Sequence, residues 1–454
     1  MSGTLGHNPG ESKVNVKTNL NFDFLILISV ISLVFIGVCF IYSSNITSDG
    51  TILSNEYTKQ IVWALIGLVL MAAIIMFDYK TFETFAIYIY LVSIVLLVIT
   101  LLFGNVVNGS RRWLGIMEFG IQPSEFAKIT TIILLGAFYA KNSNAMTRIT
   151  TLLKGFLIIL FPVVLIVLQP DMGTALVYFP IFLVMSFTAG AKVRHVMYIA
   201  LVGILTMVLI VIPVWFRHIY SGSEAVINFF VDSRFYYIIL ISGLAIMAIS
   251  LFAYFFTKKG FYYYYFTYFS SIIVISTIGA IIGKMVLKSY QIMRLVIFLD
   301  PNIDPRGAGW HFIQSITAVG SGGIFGKGFL NGTQSNLRFL PQQSTDFIFS
   351  IIAEEIGFMG CLLVFFLFLI IIVRGYMIAI AAKDLFGTNL ASGISTMILF
   401  HFMVNIGMTI GIMPITGIPL FFISYGGSSL WTAMIGVALL INVYYRRYRF
   451  SLNA

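Results

Sequence analysis

Residues 344–373 read STDFIFSIIAEEIGFMGCLLVFFLFLIIIV. From Phe347 to Val373 only Glu354 and Glu355 are charged, and Arg374 closes the run. A helix that crosses the roughly 30 Å hydrocarbon layer needs about 20 apolar residues, so this stretch is long enough to span a membrane. The same pattern recurs along the 454 residues, giving runs at Phe24–Tyr42, Gln60–Phe77, Phe85–Phe103, Ser124–Tyr139, Gly155–Leu168 and Met172–Ala189. Further runs follow at Val196–Trp215, Tyr236–Phe256, Phe261–Ile282, Ala391–Met413 and Phe421–Val443. With Phe347–Val373 these make twelve, and the chain is an all-α polytopic membrane protein. Gly155–Leu168 is short for a crossing and ends at Gln169-Pro170-Asp171, which predicts a tilted or broken span.

Composition agrees. Hydrophobic residues make up 59% of the chain, charged residues 10%, and mean hydropathy is +0.99, which excludes ordinary soluble and disordered classes. Cys39 and Cys361 are too few and too far apart for a disulfide framework or thiolate metal site. The net charge of +10 would suggest nucleic acid until the cations are mapped. Fifteen Lys and Arg (residues 13, 17, 80, 141, 148, 154, 192, 194, 258, 259, 374, 383, 446, 447 and 449) fall in one alternating set of tails and loops. The short loops of the other set hold five: Lys59, Arg111, Arg112, Arg217 and Arg234. By the positive-inside rule both termini are cytoplasmic and nucleic acid is not a partner.

The organisation expected is therefore a cytoplasmic tail at 1–23, one transmembrane domain at 24–443 and a cytoplasmic tail at 444–454. No small-residue cleavage site follows the first apolar run, which reads as a retained anchor. Lys258 and Lys259 make 236–282 a helical hairpin with a cytoplasmic turn. The segment at about 284–345 becomes a large extracytoplasmic loop, in which the amphipathic Gln291–Phe298 predicts an interfacial helix.

Ionisable residues against apolar spans are costly and mark functional sites. Glu125 and Lys128 stand three apart on one helix face, as either a packing salt bridge or a pair lining a substrate cleft. Arg112, beside Trp113 in a short outer loop, suits phosphate binding or a headgroup anchor. Asp171 marks the outer junction of two spans, and Tyr425 and Ser428 belong to the polar run that opens the last one. Asp346, at the start of Phe347–Val373, is the strongest candidate, as general base, divalent-ion ligand or helix N-terminal carboxylate. At 1.5 Å per residue Glu354 and Glu355 should lie about 12 Å deeper, as a salt bridge or neutral carboxyl. The glycines of Gly320–Gly328 read as turn chemistry rather than a phosphate cradle. His401 and Asn405, four apart, read as a polar pair between helices.

Ordered motifs then resemble one family. They include Arg112-Trp113, Gln122-Pro123-Ser124-Glu125-Phe126-Ala127-Lys128, Gln169-Pro170-Asp171-Met172-Gly173 and Phe298-Leu299-Asp300-Pro301. Asp304-Pro305-Arg306-Gly307, Thr345-Asp346-Phe347, Ala353-Glu354-Glu355-Ile356-Gly357, Pro414–Leu420 and Ser424-Tyr425-Gly426-Gly427-Ser428-Ser429 follow in order. Together they are similar to the SEDS (shape, elongation, division and sporulation) family, and Gly326-Lys327-Gly328 with Gly332–Ser335 resembles its rod-shape branch. The resemblance implies a glycosyltransferase that polymerises lipid II at the outer face of the bacterial cytoplasmic membrane, with a class B penicillin-binding protein and other elongation-complex membrane proteins as partners.

It further implies Asp346 as the catalytic residue. Arg112, Glu125, Lys128, Asp171, Arg306, Tyr425 and Ser428 would bind substrate, and a divalent cation (Mg or Mn) would assist at Asp346. Its core of ten spans makes 236–282 an additional hairpin. The rival readings are a division-type enzyme of the same family and a flippase or other transporter of lipid-linked precursors.

Overall fold

The computed structural model describes residues 23–447 apart from 48–49, 108–109, 116–119, 221, 258–259, 306 and 341. Helices dominate. The first third holds α1 (Phe24–Ser44), α2 (Glu56–Met76), α3 (Tyr79–Thr84), α4 (Ala86–Phe103), the two-stranded antiparallel ribbon β1 (Asn105–Val107) and β2 (Ser110–Trp113), and α5 (Pro123–Lys141). Next come α6 (Ile149–Leu168), α7 (Met172–Thr188), α8 (Val193–His218), α9 (Glu224–Val231), α10 (Ser233–Thr257), α11 (Gly260–Val286) and α12 (Ser289–Leu299). The chain ends with α13 (Ala308–Ser321), α14 (Thr333–Asn336), α15 (Ile348–Ala381), α16 (Leu385–Thr409) and α17 (Gly427–Arg446).

Each expected span has its helix. Ten of the twelve are long and apolar enough to cross a membrane; the other two are α5, which carries the buried Glu125 and Lys128, and α7, which has 17 residues. The span expected to be short is a complete helix: α6 has 20 residues, with Pro162 inside it. The hairpin α10–α11 is present, although Lys258 and Lys259, on which its turn was read, lie outside the described residues. The segment from 284 to 345 contains α12, where an interfacial helix was expected, and also α13 and α14.

Burial shows where the core sits. The apolar windows of α16 and α17 are 78% and 83% buried, against 11% for α8 and α10. The first pair is the axis around which α1, α2, α5, α7 and α15 pack, and α8, α10 and α11 form a lipid-facing flank, with Phe252, Phe255 and Phe256 pointing outward. On the opposite side from the site, Asp23–Arg374 (2.6 Å) and Asp78–Arg446 (3.1 Å) tie helix ends together.

Two departures from straight spans shape the site. The first is in α15. In an unbroken helix Phe349 and Phe365 would be about 24 Å apart, yet their ring centroids are 6.1 Å apart. The chain turns back at Gly357, whose φ of +66° and ψ of −163° are open to glycine and strained for other residues. A short arm, 348–356, runs outward, and a long arm, 358–381, crosses back. The Gly320–Gly328 stretch supplies what this break leaves unpaired. The carbonyls of Glu354 and Glu355 accept from the N–H groups of Lys327 (3.0 Å) and Gly328 (2.9 Å), and the N–H groups of Phe358 and Met359 donate to Gly323 (2.9 Å) and Ile324 (3.1 Å). The position expected for Glu354 and Glu355 is thereby corrected: because the arm runs outward they lie at its outer end, where Glu355 accepts from Ser43 in the last turn of α1, and not deeper than Asp346. Glu354 pairs with Lys327 at 2.7 Å.

The second departure follows α16. Beyond Thr409 the chain doubles back beside the helix it has just left. The Ile418 carbonyl accepts from Asn405 Nδ2 (2.8 Å), the Pro419 carbonyl accepts from His401 Nδ1 (3.0 Å), and Phe421 stacks on the His401 ring at 3.7 Å. Residues 414–426 therefore descend about 12 Å along α16 without regular structure, and α17 starts at Gly427, six residues later than Phe421. Non-helical backbone at such depth is tolerated only when buried in protein. Gly37 and Gly173 make room for it, since a Cβ on either would come within 2.7 Å of the backbone of Ile423 or Thr416.

Candidate active site

Asp346 lies where these two departures meet. Three consecutive carbonyls ahead of α15 are each held by one donor: Ser344 by the Tyr425 N–H (2.7 Å), Thr345 by Ser424 Oγ (2.6 Å) and Asp346 by Asn405 Nδ2 (3.1 Å). The descending loop is gripped in turn by Gln60 of α2, which donates to the Ser424 carbonyl and accepts from the Gly426 N–H, both at 3.2 Å. Each of the two loops also carries a non-glycine residue in the left-handed region, Gln342 (φ +48°) and Phe422 (φ +68°). Such conformations cost about 1–3 kcal/mol each and persist where surrounding contacts over-determine them.

The Asp346 side chain is half-buried. A carbon atom added to Gly417, itself at φ +72°, would lie 3.5 Å from Asp346 Oδ2 and 3.7 Å from an Arg294 guanidinium nitrogen, so both charged groups border one small space. Arg294 comes from α12 and donates to the Thr416 carbonyl at 3.4 Å. Removal from water pushes the Asp346 carboxyl up to about 6; Arg294 and then Arg112 oppose the rise, and Asp171 adds to it.

Asp171 caps α7, accepting from the Thr174 N–H (3.3 Å) and Oγ1 (2.9 Å) and from Gln122 Nε2 (3.0 Å), and it forms an ion pair with Arg112 at 3.5 Å. Arg112 reaches it from β2, its Nε donating to Ser110 Oγ at 2.6 Å. Ser428, at the start of α17, accepts from the Gln122 N–H at 2.9 Å, and the Tyr425 ring lies 5.1 Å from that of Trp63. Asp346, Asp171, Arg112, Tyr425 and Ser428 thus gather around one locus, and Arg306 lies outside the described residues.

Glu125 and Lys128 are different. Lys128 is 0% and Glu125 2% exposed. The ammonium donates to both Glu125 oxygens at 2.8 Å and to His401 Nε2 at 2.9 Å, 5.3 Å from the centre of the Phe421 ring. Because the Pro419 carbonyl can only accept, His401 carries its proton on Nδ1 and offers the Nε2 lone pair to Lys128. The pair lines no cleft. It anchors the descending loop through His401.

Sequence reading passed over Arg294 and Gln60, and gave Asn405 only a packing role beside His401 and Ser424 only a place in the polar run before the last span. A lone cation inside the amphipathic Gln291–Phe298 was a signal for Arg294, and amides within spans were the signal for Gln60 and Asn405. None of these says which loop the residue will meet.

Comparisons with known proteins point one way. A family model described as cell cycle protein, of FtsW, RodA and SpoVE, matches residues 23–234 and 235–449. The chain is 47% identical over 423 residues to the peptidoglycan glycosyltransferase RodA of Treponema pallidum, covering 93% of this chain and 97% of that one. It is 30% identical over 431 residues to a probable peptidoglycan glycosyltransferase FtsW of Trichlorobacter lovleyi, covering 93% of both. Among solved structures, a chain from work on the coordination of polymerization and crosslinking by a peptidoglycan synthase complex superposes with a TM-score of 0.64 at 25% identity, covering 95% of this chain and 99% of that one.

Proposed function

Because the chain belongs to the FtsW, RodA and SpoVE family of cell cycle proteins, we propose that it is the elongation-type peptidoglycan glycosyltransferase of its cell, a multi-pass protein of the cytoplasmic membrane that polymerises lipid II on the outer side. The observation that carries this reading is Asp346, a half-buried carboxylate held by its own backbone between Arg294 and Arg112. The higher identity to RodA than to FtsW favours elongation over division. The charged groups around Asp346 gather toward the outer side, and the Asp23–Arg374 and Asp78–Arg446 pairs stay at the opposite helix ends; charges grouped in this way favour an enzyme over a transporter.

In the proposed reaction Asp346 takes the proton from the 4-hydroxyl of the acceptor N-acetylglucosamine. That oxygen attacks C1 of the donor N-acetylmuramic acid, the bond to the polyprenyl pyrophosphate breaks with its electron pair, and the configuration at C1 inverts. Pyrophosphate leaves with a growing negative charge, which permanent guanidinium cations are suited to stabilise. Lys128, expected among the substrate-binding residues, is committed to Glu125 and His401, so Arg294 joins Arg112 in that role. Glu125 and Lys128 act as positioning residues for the loop that holds Asp346. Asp171 orients Arg112, and Tyr425 and Ser428 fix the two approaches to the site.

Among the described residues no three His, Cys, Asp or Glu side chains are grouped to hold a metal. Asp346 and Asp171 are the carboxylates at this locus. One or two carboxylates bind Mg or Mn when substrate phosphates complete the shell, so a divalent ion belongs with the bound substrate. The partner in the cell is a class B penicillin-binding protein, whose transpeptidase crosslinks the strands, alongside other elongation-complex membrane proteins.

The test is polymerisation of purified lipid II by the wild type and by Asp346→Asn, each with and without the transpeptidase. The reading requires strands from the wild type and none from the variant at equal folded protein. Strand synthesis by folded Asp346→Asn would remove Asp346 from catalysis.

A further inference from the structure

The hairpin α10–α11 contributes no residue to the Asp346 locus, but α11 packs on α8 and the outer end of the hairpin faces α12. Between them lies a cavity of about 110 Å³. Its walls are apolar: Pro213 of α8, Tyr236 of α10, Leu287 just beyond α11, and Ile292 of α12. Its rim is basic. Arg217 and His218 come from the last turn of α8 and Lys284 from the last turn of α11. The Lys284 ammonium lies 5.7 Å from the centre of the Tyr236 ring, and the Tyr236 hydroxyl is fixed by a 3.1 Å bond to the Leu209 carbonyl. The ion pair found nearby, Arg234–Asp232, involves neither cation of the rim, and among the described residues no carboxylate pairs with Arg217 or Lys284. The helix dipole explains a cation at a helix C-terminus; it does not explain why two helices bring theirs to the rim of one apolar cavity. The charge bias of the loops, which keeps cations scarce on the outer side, makes this grouping more unusual.

We propose that this cavity binds an anionic phospholipid of the outer leaflet. The phosphodiester would sit among Arg217, His218 and Lys284, the glycerol backbone would enter the cavity, and the acyl chains would lie along the exposed apolar faces of α10 and α11. Lipid II is a poor fit, because a disaccharide-pentapeptide head has no room there. The occupant would press on Ile292, two residues from Arg294 on the same helix, and so brace the helix that carries Arg294 to Asp346.

The experiment uses the full chain in mild detergent, with native mass spectrometry of retained lipid as the readout, so it is independent of any turnover. Phosphatidylglycerol and phosphatidylcholine of identical chains are offered to the wild type, to Arg217→Gln/Lys284→Gln and to Arg217→Lys/Lys284→Arg. Each cation near the membrane surface contributes roughly a fivefold preference for anionic lipid. The wild type should therefore retain phosphatidylglycerol on the order of twentyfold better, the charge-conserving variant should keep most of that preference, and the glutamine variant should lose it with unchanged melting temperature. The proposal is overturned if the wild type shows no preference, if the glutamine variant keeps it, or if the charge-conserving variant loses it while folded. It is likewise overturned if inorganic phosphate displaces the lipid at equal concentration, which would mark a free-phosphate site, or if lipid II displaces it stoichiometrically, which would mark a substrate site.

Discussion

Asp346 with Arg294, Arg112 and Asp171, and Glu125 with Lys128 and His401, are two charged groups built on either side of the same descending loop. In the second, Lys128 has a partner for each of its three protons and the group is sealed from solvent. In the first, Asp346 remains half-open and its carboxyl is displaced from its usual range. Closed charge fixes backbone, since buried pairs contribute more to specificity of structure than to net stability. Open charge, held by its main chain and left with capacity on its side chain, is available for a substrate. The difference assigns function to Asp346 and architecture to Lys128, although the sequence reads both as candidate substrate-site residues.

The comparison can be broken most sharply at Asp346. Losing a general base typically costs 10²–10⁴-fold in rate, so Asp346→Asn should lower lipid II polymerisation by about that factor with little change in thermal unfolding. Lys128→Met should do the reverse in kind. It leaves Glu125 charged and unpaired, which costs about 3–5 kcal/mol, so the melting temperature should fall, and activity per folded molecule should fall less than in Asp346→Asn. A Lys128→Met protein that melts normally yet cannot polymerise would place Lys128 in the chemistry and erase the distinction.

Smaller effects sharpen it. Arg294→Gln should reduce turnover by roughly 10²-fold, in the range of removing one donor to a developing anion, without lowering the melting temperature. A pH profile adds a signed check. Asp346 works ionised and its pKa is raised to about 6, so the rate should fall tenfold per unit below that value. Arg294 holds the carboxyl down and Asp171 pushes it up. The acid limb should therefore move to higher pH in Arg294→Gln and to lower pH in Asp171→Asn. Gly357→Ala should lower the melting temperature clearly and test the reversal of α15, because its φ of +66° and ψ of −163° are essentially reserved for glycine and a Cβ there would collide with the Gly326 nitrogen and meet the Ile324 carbonyl at 2.7 Å.

Much of this was legible in the chain. Period and length of apolar runs located all twelve long helices, because a lipid-spanning helix must carry its own signal residue by residue. The backtracking was not legible. Phe347–Val373 reads as one continuous span, and what breaks it, the backbone of Gly320–Gly328 pairing with 354–359, is a long-range event with no periodic trace. For the same reason Phe421 reads as the start of the last span, whereas it belongs to the loop stacked on His401. Sequence picked out Asp346, Asp171 and Arg112 because charge is conspicuous in an apolar chain. It ranked Asp346 first but could not tell that Glu125 and Lys128 are sealed, since burial is decided by neighbours hundreds of residues away, and it passed over Arg294 because one cation in an amphipathic helix looks like an interfacial anchor.

The most direct measurement is accessibility. With Cys39 and Cys361 replaced, a single Thr345→Cys protein in sealed, oriented membranes is treated with a membrane-impermeant thiol reagent from either side. Labelling from the outside, suppressed by bound lipid II, is the predicted result. Labelling from the cytoplasmic side alone would leave Asp346 unable to meet its substrate and would contradict the account.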